Sequence, residues 1–210
     1  MKYHELMLVL AVLLWGNATT PRASFAQAET EPHHHHVMAP AGTGSGYQRS
    51  VKSYKIPDIK LVDMNGAESS LRDGLNGNDP IMLNFIFTSC NAICPVMSTT
   101  FHNVQEALGG KERNKVRMVS ISIDPENDTP ARLKEYAEKF HAGPQWRMLT
   151  GSIENSIAAQ RAFGVFRGDK MSHTPVTFLR AKGANSPWVR LDGLASAPDI
   201  IKEYRKLASG

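Results

Sequence analysis

The sequence predicts an α/β domain: a mainly parallel central sheet, helices on both faces, and a C-terminal antiparallel hairpin. Three observations carry this. Residues 81–87 (IMLNFIF) form a short, strongly apolar run, as a strand buried on both faces requires. Directly afterwards Met97, Phe101, Val104 and Leu108 recur at helical spacing, and the alternation of strand and helix then repeats. Late in the chain, residues 176–180 and 188–191 are strand-like runs placed to pair as a hairpin, with a last helix behind them.

Taken in order, residues 59–62 (IKLV) read as a strand, and Asn65-Gly66 as a tight turn. Gly109-Gly110 stops the first helix. Residues 116–123 (VRMVSISI) are another strand. Thr129-Pro130 opens a helix with Pro at its first position, and the core stripe of that helix is Leu133, Tyr136, Ala137 and Phe140. Residues 146–149 read as a short strand and 152–163 as a helix. Ser196-x-x-Asp199 has the form of a capping box for a final helix ending near Leu207. The closing hairpin and helix make this the thioredoxin-like variety of α/β fold, expected over residues 51–210.

The chain has 210 residues, 41% hydrophobic and 21% charged, which is enough to bury a globular core. Lys and Arg number 24 against 20 Asp and Glu, and the densest basic stretch, residues 111–117, still carries Glu112. No clustered basic face is present, which argues against a nucleic-acid binder. Residues 6–15 (LMLVLAVLLW) are an apolar run behind Lys2, and Ala26-Gln27-Ala28 follows as a cleavage-like site, so residues 1–28 read as a signal peptide. The run is short of the roughly 20 residues that span a bilayer. An uncleaved anchor is the alternative. Either reading places the rest outside the cytoplasm, in the periplasm or held at the inner membrane facing it. Residues 29–50 read as a flexible leader containing His33, His34, His35 and His36, a tract that gathers divalent metal only loosely.

The chemistry centres on the two cysteines, Cys90 and Cys94, in TSCNAICP. They sit between the buried strand and the following helix, where free N–H groups and the helix dipole favour thiolate. A structural disulfide across so small a loop would constrain the unfolded chain little. Redox motifs of the thioredoxin type are C-x-x-C; the spacing here is one residue longer. Such a pair still closes a disulfide, and it also holds two sulfurs around one ion. Two thiolates with an imidazole suit Cu(I), whereas a closed zinc site wants four ligands. His102 lies beside the apolar stripe and His141 ends a helix. By elimination and placement, His173, in a loop before a late strand, is the candidate third ligand.

The segments FIFTSCNAICPVM and SISIDPENDTP, followed by a distal His before a strand, resemble the Sco/SenC family. The resemblance covers about residues 54–208 and implies a thioredoxin-like fold that binds copper through Cys90, Cys94 and His173. It further implies a metallochaperone acting on the copper-bearing subunit of cytochrome c oxidase or another extracytoplasmic cuproprotein. The other reading is a thiol-disulfide oxidoreductase with Cys90 and Cys94 catalytic, and Thr174-Pro175 behind His173 favours it. Asp124 and Asp128 match the family's acidic motif. Asp128 or Thr129 is expected to cap the next helix, while Asp124 is open between a supporting role near the metal and none. Met97 is expected in the core, and Met171 is a weaker candidate for copper contact.

Overall fold

The computed structural model describes residues 46–208. The expected signal peptide, the His33–His36 tract and most of the leader lie outside them. The elements, in chain order, are β1 (Tyr47–Lys52), β2 (Lys60–Asp63), β3 (Glu68–Ser70), α1 (Leu71–Leu75), β4 (Ile81–Ile86), α2 (Ile93–Arg113) and β5 (Arg117–Ser122). They continue with α3 (Pro130–Lys139), β6 (Trp146–Thr150), α4 (Ile153–Ala162), β7 (Val176–Arg180), β8 (Trp188–Gly193) and α5 (Ala197–Ala208). Among the described residues no helix is long and apolar enough to cross a membrane.

The strands form one sheet in the order β1-β8-β7-β4-β5-β6-β2-β3. Its centre, β4-β5-β6, is parallel, because α2 and α3 carry the chain back across one face between those strands. The other pairings are antiparallel, so the sheet is mixed and its parallel part is narrower than the strand–helix alternation predicts. Short links such as that holding Asn65-Gly66 permit only antiparallel neighbours. Strand β1 starts at Tyr47, within the stretch expected as leader, and pairs along β8. This is an edge strand of QRSVK composition, mostly exposed, and it has no apolar alternation to announce it.

Alternation within β4 assigns the two cores. Met82 and Ile86 join Phe101, Val104, Leu133, Tyr136 and Ile200 beneath α2, α3 and α5. Ile81, Leu83 and Phe85 face the other way, with Leu71, Leu75, Ala159 and Phe163 of α1 and α4. Both faces are therefore covered, as the unbroken apolar run requires. Helix α3 is capped by Thr129, whose Oγ1 accepts from the Arg132 N–H at 3.3 Å. Ser196 and Asp199 make the reciprocal bonds of a capping box. Gly109, at φ 64°, breaks the helical path, so the first helix stops there as expected, and a further helical turn runs on to Arg113.

Phe163 anchors the second core. Its ring centroid lies 5.0 Å from Phe178, 5.1 Å from Tyr54, 5.3 Å from Trp188 and 5.7 Å from Phe85. Edge-on and tilted contacts of this kind add to simple burial. Phe163→Ala should therefore cost about 3–5 kcal/mol, read as a lower midpoint in urea with an unchanged slope. A loss near zero would mean the cluster collapses to fill the space.

Candidate functional site

The site lies at the C-terminal ends of the parallel strands, where open α/β sheets place their ligand sites. Three segments meet there: the loop from β4 into α2, the loop from β5 into α3, and the loop before β7. The first carries the thiols. Both cysteines are free; Cys94, in the first turn of α2, is fully buried, and Cys90 is half-buried.

Their surroundings make them unequal. Burial alone would push the Cys90 thiol up, but the backbone N–H groups of Cys94, Ala92 and Ile93 and the Cys94 thiol all bond to its sulfur. Together they hold it below its ordinary value. Cys94 is pushed up to about 12, chiefly by burial, with Cys90 and the Asp128 carboxylate adding to the rise against a bond from the Phe87 backbone. Cys90 is thus the more acidic of the two thiols, and Cys94 the one that donates to it.

Asp128 is fully buried, and its role differs from the expected cap, which falls to Thr129. Its oxygens accept from the Thr88 backbone N–H (3.1 and 3.2 Å), the Thr88 hydroxyl (2.5 Å) and the Ser122 hydroxyl (2.6 Å). It therefore ties the segment two residues before Cys90 to the end of β5. Asp124 performs the matching task on the other arm. Its carboxylate holds Lys170 Nζ at 2.6 Å and the Asn127 amide at 3.0 Å. Lys170 begins the turn Lys170–Ser172 that leads to His173, and its ammonium also lies over the Phe87 ring, 5.7 Å from the centroid. The two acids of one loop each fasten one arm of the site.

His173 is buried, and its Nε2 lies 3.0 Å from the Phe85 carbonyl oxygen. A carbonyl only accepts, so Nε2 carries the proton and the neutral ring keeps its lone pair on Nδ1. Burial lowers the His173 pKa, against the Phe85 bond, which raises it. His173 also lines a cavity of about 350 Å³ with Asp124, Asn127, Gln160 and Arg167, a cavity whose walls include neither cysteine. The structure thus brings Cys90 and Cys94 into contact and holds the His173 loop against β4, the strand that delivers them. Among the described residues no three His, Cys, Asp or Glu side chains are gathered closely enough to hold one ion.

Of the remaining candidates, Met97 is in the core, as expected, and Met171 is 72% exposed on the His173 loop. His102 and His141 face each other with ring centroids 5.6 Å apart, and Gln105 contacts both, through the His102 ring and the His141 carbonyl. Thr88, Ser122 and Lys170 are working residues that the sequence did not single out. The roles of Thr88 and Lys170 appear only once loops 40 and 46 residues apart in sequence are joined, while Ser122 meets Asp128 across six residues.

A helix-initiating dithiol at the end of a buried central strand, with mixed strands around it, defines a thioredoxin-like dithiol protein. The SCO1/SenC family profile matches residues 48–209, and the chain belongs to that family. An SCO2-like protein of Rickettsia felis is 35% identical over 159 residues, spanning 71% of this chain and 74% of that protein. Among solved structures, BsSco is described as a member of the Sco family of cytochrome c oxidase assembly proteins with a disulfide switch. It is 27% identical with a TM-score of 0.60, covering 73% of this chain and 93% of that one. Arabidopsis thaliana ScoI with copper bound is 26% identical with a TM-score of 0.58, covering 72% and 99%.

Two outcomes follow from the thiol and imidazole environments. Iodoacetamide should label Cys90 and spare Cys94, with a rate that rises through a midpoint below that of a free cysteine, about 8.5. Cys94→Ala removes a donor to the Cys90 sulfur and should raise that midpoint; Cys94→Ser, which keeps a donor, should raise it less. Peptide mass spectrometry showing mainly Cys94 labelled would contradict the asymmetry. For His173, the folded pKa lies below the unfolded value, so the neutral ring adds stability above about pH 6.5. That contribution is lost as pH falls from there through the folded value. Thermal unfolding between pH 7 and 5 should therefore show a steeper loss for wild type than for His173→Gln, and parallel curves would remove His173 as the cause.

Proposed function

We propose that this domain is an extracytoplasmic copper-binding metallochaperone that carries Cu(I) on Cys90 and Cys94 with His173 as third ligand. Copper is its cargo, and the recipient is the copper-bearing subunit of cytochrome c oxidase or a related cuproprotein. The observation that carries this reading is the thiol pair itself: two free sulfurs in contact, one with its pKa lowered by bonds from backbone N–H groups. Soft sulfur donors select Cu(I). The neutral imidazole of His173, with Nδ1 free to bond, is the right chemistry for a third ligand. Family membership supports the reading, as do relatives described as copper-bound and as oxidase assembly proteins. Residues 1–28 act as its export signal or anchor.

The thiol asymmetry favours a second reading, a thiol-disulfide oxidoreductase. A half-buried Cys90 with its lowered pKa would attack a target disulfide sulfur, releasing one target thiolate and forming a mixed disulfide. Cys94 would then displace the second target thiolate and close the Cys90–Cys94 disulfide. The two functions make different demands on His173. An anaerobic Cu(I) competition against a chelator, run beside turnover of a model disulfide, separates them. His173→Ala should weaken Cu(I) binding about tenfold or more while leaving disulfide reduction largely intact. Cys90→Ala or Cys94→Ala should damage both. Wild-type Cu(I) affinity in His173→Ala, together with rapid disulfide reduction by the wild-type protein, would make the protein an oxidoreductase.

A further inference from the structure

The opposite end of the sheet holds a second polar site. Arg180 is the last residue of β7 and stands level with Ile81, the first residue of β4, so it lies a full strand length from the thiol loop. It is 1% exposed. One terminal nitrogen donates to the Leu75 carbonyl and the other to the Ala184 carbonyl at 3.3 Å, while Nε has no hydrogen-bond partner among the described residues. The guanidinium lies over the Trp188 ring, 5.0 Å from its centroid. Among the described residues no Asp or Glu lies within ion-pair distance of it, and the charged group nearest in effect is another cation, Arg117. Carbonyl oxygens satisfy donors, but they do not neutralise a full charge. A buried cation without a counter-charge is costly.

Beside Arg180 opens a cavity of about 270 Å³. Arg72, Asn76, Asn185 and Ser186 line it with Arg180 and Trp188, and no Asp or Glu is among its lining residues. Arg72 is half-exposed, and its one ionic contact among the described residues is a 3.5 Å pair with the exposed Asp58, of the weak surface kind. Two guanidiniums, two side-chain amides and a hydroxyl therefore surround a space that contains no acid.

We propose that this cavity is a binding site for a small oxyanion, a phosphate or carboxylate group, seated between Arg72 and Arg180. Guanidinium forks match both groups and form charge-assisted bonds to them. The site is independent of the thiol chemistry at the other end of the sheet.

The test uses the full chain, reduced and free of copper, titrated with inorganic phosphate and, separately, acetate against chloride at matched ionic strength. Phosphate should raise the unfolding temperature saturably and change the emission of Trp188, a change absent in Trp188→Phe. Arg72→Gln should weaken binding about tenfold or more, since each removes a charge-assisted contact. Arg180→Lys, which keeps the charge but loses the fork, should weaken it as well. Saturation by acetate at equal or lower concentration identifies the ligand class as carboxylate; preference for phosphate identifies it as phosphate. No saturable effect beyond chloride overturns the proposal, as does a response undiminished in Arg72→Gln. Because Arg72 is half-exposed, that variant decides the matter even if Arg180→Lys fails to fold.

Discussion

Everything at the thiol site depends on one buried carboxylate. Asp128 has no basic partner among the described residues, so its charge is carried entirely by hydrogen bonds. The Thr88 amide, the Thr88 hydroxyl and the Ser122 hydroxyl are all donors, and removing any one leaves acceptor capacity unmet in a dry site. This fastens the Cys90 loop to the neighbouring strand. The negative charge also bears on the thiols directly, because it helps keep the proton on Cys94. A protonated Cys94 is what allows its thiol to donate to the Cys90 sulfur. The carboxylate that sets the loop position thus also contributes to the thiol asymmetry, whose larger cause is the burial of Cys94.

This explains what was legible in the sequence and what was not. The central strand, the helix stripes, the Thr129 cap and the 196–199 box are local patterns, repeated every two or nearly four residues or spelled out within a single turn, so they can be read along the chain. Cys90 and Cys94 are legible for the same reason, being four residues apart at a strand–helix junction. β1 and β3 are short or exposed edge strands whose pairing is determined by their neighbours rather than by their own composition. The clamps are long-range: Thr88 meets Asp128 across 40 positions and Lys170 meets Asp124 across 46. Nothing in a linear pattern distinguishes a lysine that answers a buried acid from one that faces water.

The two readings of function place opposite demands on Cys94. As a resolving thiol it should stay protonated until the mixed disulfide has formed, and its burial does that. As a copper ligand it must give up that proton, so metal uptake releases a proton and competes with the fold's preference for the thiol. Soft thiolate ligands favour Cu(I), and the more acidic Cys90 would offer it a first contact. His173 is already neutral by burial, so it asks for no deprotonation, only for its Nδ1 lone pair.

In the copper reading, what would govern His173 as third ligand is therefore position rather than charge. His173 hangs from the Phe85 carbonyl at one end of its loop, and Lys170 is pinned to Asp124 at the other. Both anchors lead back to the central strand and the acidic loop that also hold the cysteines. An imidazole fixed to the strand that delivers the thiols keeps a constant relation to them, whereas one on a free loop would pay ordering entropy at each capture of the metal. Asp124 and Asp128 stand four residues apart on a single loop. Any shift of that loop moves the thiol arm and the imidazole arm together, so the two halves of the site are mechanically one unit.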